Sequence, residues 1–237
     1  RLWSMLLPLH SRRIRLDLPP WGEVGLTVYT LDSGRPGPAL LIHAARHGNE
    51  VSGVEVARRF LQRARRELQR GRLVVVPVAN PVALWQRQYR LDRPPDSPLQ
   101  AAPDNGRMGR WPGDPEGDEA DRIVYALCQG LPEQALDVVV DLHCSEPAFA
   151  SWAYEREGCP PSQQLAALSG FRFIRVAKPL DWTPPGYFNA TGRAGLTLEL
   201  SGTCAIRAHE VRRGVRACVN VARHLGLMEG PLLRDGP

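Results

Sequence analysis

Lysine is almost missing from this chain of 237 residues: Lys178 stands alone, so the formal charge of +5 rests on arginine. Arginine-rich surfaces can bind phosphate. The basic run Arg58 to Arg66, however, is broken by Phe60, Leu61 and Ala64 on one helical face and is followed by Glu67. It reads as a solvated helix face. No zinc knuckle, aromatic RNA-binding motif or helix-turn-helix accompanies it, so no nucleic-acid partner is expected.

Cysteine is also scarce. Cys128, Cys144, Cys159, Cys204 and Cys218 are odd in number and form no C-x-x-C pair. That argues against a disulfide framework and a thiolate metal site, and it suits a reducing cytoplasm. No apolar run approaches the roughly 20 residues of a membrane helix. The opening Arg1 to His10 has too short an apolar core, and no small-residue cleavage site, for a secretory signal. A cytoplasmic chain without a membrane partner is the expectation, forming one catalytic α/β domain over residues 1–237. Oligomeric state is not encoded in any pattern seen here.

Seven apolar or β-branched runs read as strands: Gly25 to Leu31, Ala39 to Ile42, Leu73 to Val78, Leu136 to Leu142, Phe149 to Tyr154, Phe171 to Val176 and Gly195 to Leu200. Several are continuous, as in strands covered on both faces. Helical spacing links Val54, Ala57, Phe60, Leu61, Ala64 and Leu68, with Gly71 beyond as a stop signal. A second helix covers Asp118 to Leu127, with acidic residues at its start. A third runs from Val211 to Leu225 and ends at Gly226. Alternating strands and helices predict an α/β sandwich around a mixed, largely parallel sheet. Arg90 to Gly117 and Trp182 to Tyr187 read as long loops, a usual home of function.

Polar residues interrupt these apolar runs at their ends. His47 and Glu50 are three apart where the Ala39 to Ile42 run gives way to a helix, so both side chains can face one point. His143 ends another apolar run and is the natural third donor. Two imidazoles and a carboxylate suit a catalytic zinc, which keeps three protein ligands and one open position; cobalt or nickel would also accept such a set. Asp141 lies on the same side of the strand as His143, placed to accept the free ring N–H of a ligating histidine. His43 reads as a packed core histidine and Cys144 as a small core residue on the opposite face. Glu199, within a third apolar run, is either a structural carboxylate or a base.

At these residues the chain resembles the succinylglutamate desuccinylase/aspartoacylase family of the zinc carboxypeptidase superfamily. The resemblance rests on His47-Gly48-Asn49-Glu50, Asn80-Pro81-Val82-Ala83, Arg90, Trp111-Pro112-Gly113, Asp141-Leu142-His143 and Glu199-Leu200-Ser201-Gly202, in the family's order over Leu40 to Gly226. It implies a zinc-carboxypeptidase-like fold and one zinc ion held by His47, Glu50 and His143. It further implies hydrolysis of an amide bond in an N-acyl amino acid or a peptide. Metal-bound water attacks the carbonyl, Glu199 is the general base, and Arg90, or failing it Arg87, stabilises the oxyanion.

The chain departs from the family in two places. The Asn-Arg pair that grips a substrate carboxylate is not intact, so Asn105, Arg107 and Arg110 compete for that role. No C-terminal β-rich domain follows the last helix, and Pro231 to Pro237 reads as a tail. A small-molecule deacylase is the leading expectation. A peptide-trimming metallocarboxypeptidase, a zinc-binding pseudoenzyme and a basic nucleic-acid module follow in that order of weight.

Overall fold

The computed structural model describes residues 6–89, 109–132, 135–178 and 180–234. Eight strands join in one sheet: β1 (His10–Asp17), β2 (Glu23–Asp32), β3 (Ala39–Ala44), β4 (Arg72–Val76), β5 (Val138–Ser145), β6 (Trp152–Arg156), β7 (Phe173–Ala177) and β8 (Ala194–Ser201). Their order is β1-β2-β4-β3-β5-β8-β6-β7. The central strands β4, β3, β5 and β8 are parallel. β1 and β2 attach antiparallel on one side. On the other, β6 is antiparallel to β8 and parallel to β7. The sheet is mixed and largely parallel, as the apolar runs predict.

Helices cover both faces. Phe60 of α1 (Val51–Glu67), Leu165 of α4 (Pro160–Leu168) and Val219 of α6 (Ala208–His224) share a core with Leu40, Ile42, Val140 and Leu198. Opposite, Val82 of α2 (Pro81–Gln86), Ile123 of α3 (Glu119–Gly130) and Phe188 of α5 (Pro184–Ala190) share one with Leu41, Val74 and Val139. All six residues of β3 are buried between these layers.

Three short helices and one strand differ from the sequence expectation. Proline opens α2, α4 and α5, three helices absent from the sequence expectation, as the first helical position has no use for an N–H. Asn80 and Thr183 cap α2 and α5, accepting from the amides of Ala83 and Gly186. The segment Trp182 to Tyr187 is therefore a loop only as far as Thr183. β1 went unread because Arg12, Arg13 and Arg15 crowd a largely exposed edge, where charge discourages pairing with another sheet.

The register sets up the site. His43, Asp141, Thr197, Tyr154 and Arg175 stand side by side across β3, β5, β8, β6 and β7. A second row holds His143, Glu199, Trp152 and Phe173. Along this one face the parallel strands change character toward their carboxyl ends, as in Val139, Asp141 and His143 of β5. Ligands of open α/β sheets gather at such ends.

Candidate metal centre and active site

The loop between β3 and α1 is tight. Ala45 adopts a left-handed φ of +49°, a strained choice for a residue with a Cβ, and the Glu50 amide donates to the His47 carbonyl at 3.3 Å. This turn brings the two side chains together, with His47 Nδ1 2.7 Å from Glu50 Oε1. From β5, His143 Nδ1 comes to 3.1 Å from His47 Nδ1 and 3.0 Å from Glu50 Oε2. One ligand atom from each of the three buried residues lies within 4.8 Å of the others.

Gly48 permits this geometry. A Cβ built there would sit 1.9 Å from the carbonyl carbon and oxygen of Ala83 in α2. The amides of Ala79 and Asn80 also donate to Ala44 and Ala45. The segment Asn80 to Ala83 is thus the backbone against which the His47 to Glu50 segment is pressed.

Asp141 holds two imidazoles at once. Its Oδ1 is 2.7 Å from His43 Nδ1 and its Oδ2 2.9 Å from His143 Nε2. His43 is packed, as expected, and it also meets Trp111 edge-on. Burial would raise the Asp141 carboxyl, but His143 and His43 outweigh it and hold it well below the usual range. Burial would likewise depress His143, yet Asp141 and Glu50 lift it well above its ordinary value. For His47 burial prevails, and the imidazole is shifted down toward its neutral form despite Glu50.

The donor set fits a divalent cation. Glu50 Oε2 is buried without a hydrogen-bond partner; its 3.0 Å approach to His143 Nδ1 satisfies distance but not direction. With His143 Nε2 engaged by Asp141, its Nδ1 turns toward His47 Nδ1 and Glu50 Oε2, where a cation could be shared by all three. Donors about 2.0–2.1 Å from a tetrahedral zinc stand roughly 3.3 Å apart, close to the separations found here.

Glu199 is half-buried and pairs in register with His143. Burial pushes its carboxyl up to about 7, with His143 pulling the other way. Cys144 faces the opposite core, as its strand position predicts, and burial lifts its thiol to about 12.

A cleft of about 490 Å³ opens beside the cluster, floored by Thr197 and Glu199 and walled by Tyr89 and Trp182. Tyr89 stacks on His47 at 3.9 Å. Arg46 is buried, donates to the Gly109 carbonyl at 2.5 Å and lies 5.3 Å from the centre of the Trp182 ring. Burial lowers its pKa, opposed by Asp141.

Of these walls, the sequence pointed only to Trp182, through the loop read over Trp182 to Tyr187. Arg46 and Tyr89 neighbour His47 and Arg90 and so carried a faint signal. Tyr154 and Arg175, which also line the cleft, carried none. Of the remaining candidates, Arg90, Asn105 and Arg107 fall outside the described residues. Arg87 is exposed at the end of α2, with φ +54°. Arg110 is exposed too and is not among the residues lining the cleft, and its backbone amide donates to Asp121.

The fold is similar to that of a metallo-carboxypeptidase from Burkholderia cenocepacia, with a TM-score of 0.65 at 15% identity, over 94% of this chain and 66% of that one. It is also similar to a succinylglutamate desuccinylase from Silicibacter sp. TM1040, with a TM-score of 0.78 at 21% identity, over 96% of this chain and 70% of that one. Residues 36–225 match the succinylglutamate desuccinylase/aspartoacylase catalytic domain, and the chain belongs to that family of hydrolytic enzymes. An N-alpha-acetyl-L-2,4-diaminobutyric acid deacetylase from Halomonas elongata is 31% identical over 230 residues, covering 91% of this chain. The chain spans 63% of that relative's length. No helix among the described residues is long and apolar enough to cross a membrane.

Proposed function

We propose that this chain hydrolyses the amide bond of an N-acyl amino acid, or a similarly small substrate, at one zinc ion held by His47, Glu50 and His143. The observation that carries this reading is the convergence of those three buried side chains around an oxygen, Glu50 Oε2, that lacks a hydrogen-bond partner. The ion supplies a Lewis acid that polarises the scissile carbonyl and lowers the pKa of water.

The chain's own residues do the rest. Asp141 accepts the Nε2–H of His143, which leaves Nδ1 as the lone-pair donor and fixes the ring. Glu199, across from His143, takes a proton from the attacking water and hands it to the departing amine nitrogen. Tyr89 covers one face of His47 and keeps bulk water from it. Arg90 stabilises the developing oxyanion, and Asn105, Arg107 or Arg110 binds the substrate carboxylate; these roles rest on the motif order. The likeness to a deacetylase supports deacylation over peptide trimming.

Elemental analysis should find about one zinc per chain. Chelation should abolish hydrolysis of N-acyl amino acids, and zinc should restore it. A protein purified without metal and indifferent to chelators would overturn the proposal, and turnover of short peptides alone would reject the deacylase form. Asp141→Asn is expected to weaken zinc binding about 10- to 100-fold, read by competition with a chromophoric chelator. Unchanged affinity would remove Asp141 from its orienting role.

A further inference from the structure

The end of the cleft away from the metal centre carries positive charge that has no direct part in the hydrolytic scheme, although Arg175 adds a minor downward pull on the Glu199 carboxyl. Arg175 on β7 donates to the Tyr154 hydroxyl at 3.3 Å and lies 5.6 Å from the centre of that ring. Lys178 follows three residues on and lines the same cleft. Arg156 is buried beside them: its Nη1 donates to the Lys178 carbonyl at 2.8 Å, its Nη2 is ion-paired with Asp181 at 3.9 Å, and its Nε has no hydrogen-bond partner.

Negative charge is sparse. Asp141 and Glu199 are the acidic residues lining the cleft, and Asp141 is already engaged by His43 and His143. Among the described residues no carboxylate forms an ion pair with Arg175 or Lys178. Tyr154 holds the guanidinium by its ring and its hydroxyl, so less side-chain freedom is lost when a ligand arrives.

The sheet fixes how far this charge lies from the chemistry. Arg175 is two strands from Glu199 and one residue pair further along, which is roughly 12 Å between Cα atoms. The arginine side chain spans about half of that. An anion gripped there belongs to a substrate arm several bonds from the amide.

We propose that Arg175, held by Tyr154 and assisted by Lys178, is a specificity-determining residue that binds a carboxylate on the substrate remote from the scissile amide. The inference rests on the hydrolytic reading above. The competing view is that Arg175 merely guards an exposed edge strand with charge.

The zinc-loaded enzyme and its R175Q and R175K variants would be assayed on three substrates. N-acetyl-L-alanine has no second carboxylate, N-succinyl-L-alanine carries it on the acyl arm, and N-acetyl-L-glutamate carries it on the amine arm. R175Q should raise KM about tenfold or more for one of the two armed substrates, with kcat little changed, as loss of uniform binding requires. KM for N-acetyl-L-alanine should be unchanged and R175K should recover part of the loss. The arm that responds identifies the side of the amide that faces β7. Equal effects on all three substrates, or none, would overturn the assignment. If the parent hydrolyses none of them, the hydrolytic reading fails instead. Calorimetric titration with glutarate then decides: binding weakened in R175Q upholds the subsite, and equal binding removes it.

Discussion

Glu199→Gln is expected to lower kcat for N-acyl amino acid hydrolysis by about 10²- to 10⁴-fold while about one zinc per chain remains bound. The amide is nearly isosteric with the carboxylate but cannot take a proton from water, so the fold and the three donors are left intact. Glu199 lies on β8 directly across from His143 and is not part of the His47, Glu50 and His143 cluster. Activity and metal content should therefore separate. If the variant loses its zinc together with its activity, Glu199 is a ligand. If it keeps its activity, the base lies elsewhere.

The second large effect is structural. Gly48→Ala should destabilise the protein by about 3 kcal/mol or more, at the upper end of overpacking costs. The reason is contact rather than backbone conformation. Gly48 is absent from the positive-φ residues, but its Cβ would enter the backbone of α2 at Ala83. Relief requires the loop to retreat, which separates His47 from Glu50, so zinc affinity should fall with stability. Gly192→Ala is the contrasting case: φ is +78° but nothing lies within 4 Å, and the cost should be about 1–2 kcal/mol with zinc binding unchanged. Paired thermal melts and zinc titrations of the two variants test this. A Gly48→Ala protein as stable as its parent would show that the two segments are not pressed together in solution.

The cluster of His47, Glu50 and His143 was legible because it is written in local terms. Histidine and aspartate at the end of a buried strand stand out against valine and leucine, and the alternation along β5 correctly put Asp141 with His143 and Cys144 opposite. That His43 is also tied to Asp141 depends on β3 lying beside β5, which no local pattern reports. The far wall was illegible for the same reason. Tyr154 and Arg175 join the site only because β6 folds back antiparallel against β8 and β7 pairs beyond it. Proline misled at Pro184, where a segment read as loop opens α5, because one residue both ends extended chain and starts helices. The exposed arginines of β1 hid a strand whose apolar face is only Ile14 and Leu16, packed at the margin of the core.

The parallel strands of this sheet divide their labour along their length: Val139 packs while His143, four residues on, faces His47 and Glu50. Substitutions near the open ends can therefore redraw what the cleft admits without loosening the interior. A scaffold arranged in this way can diversify its substrates while its foldability stays put.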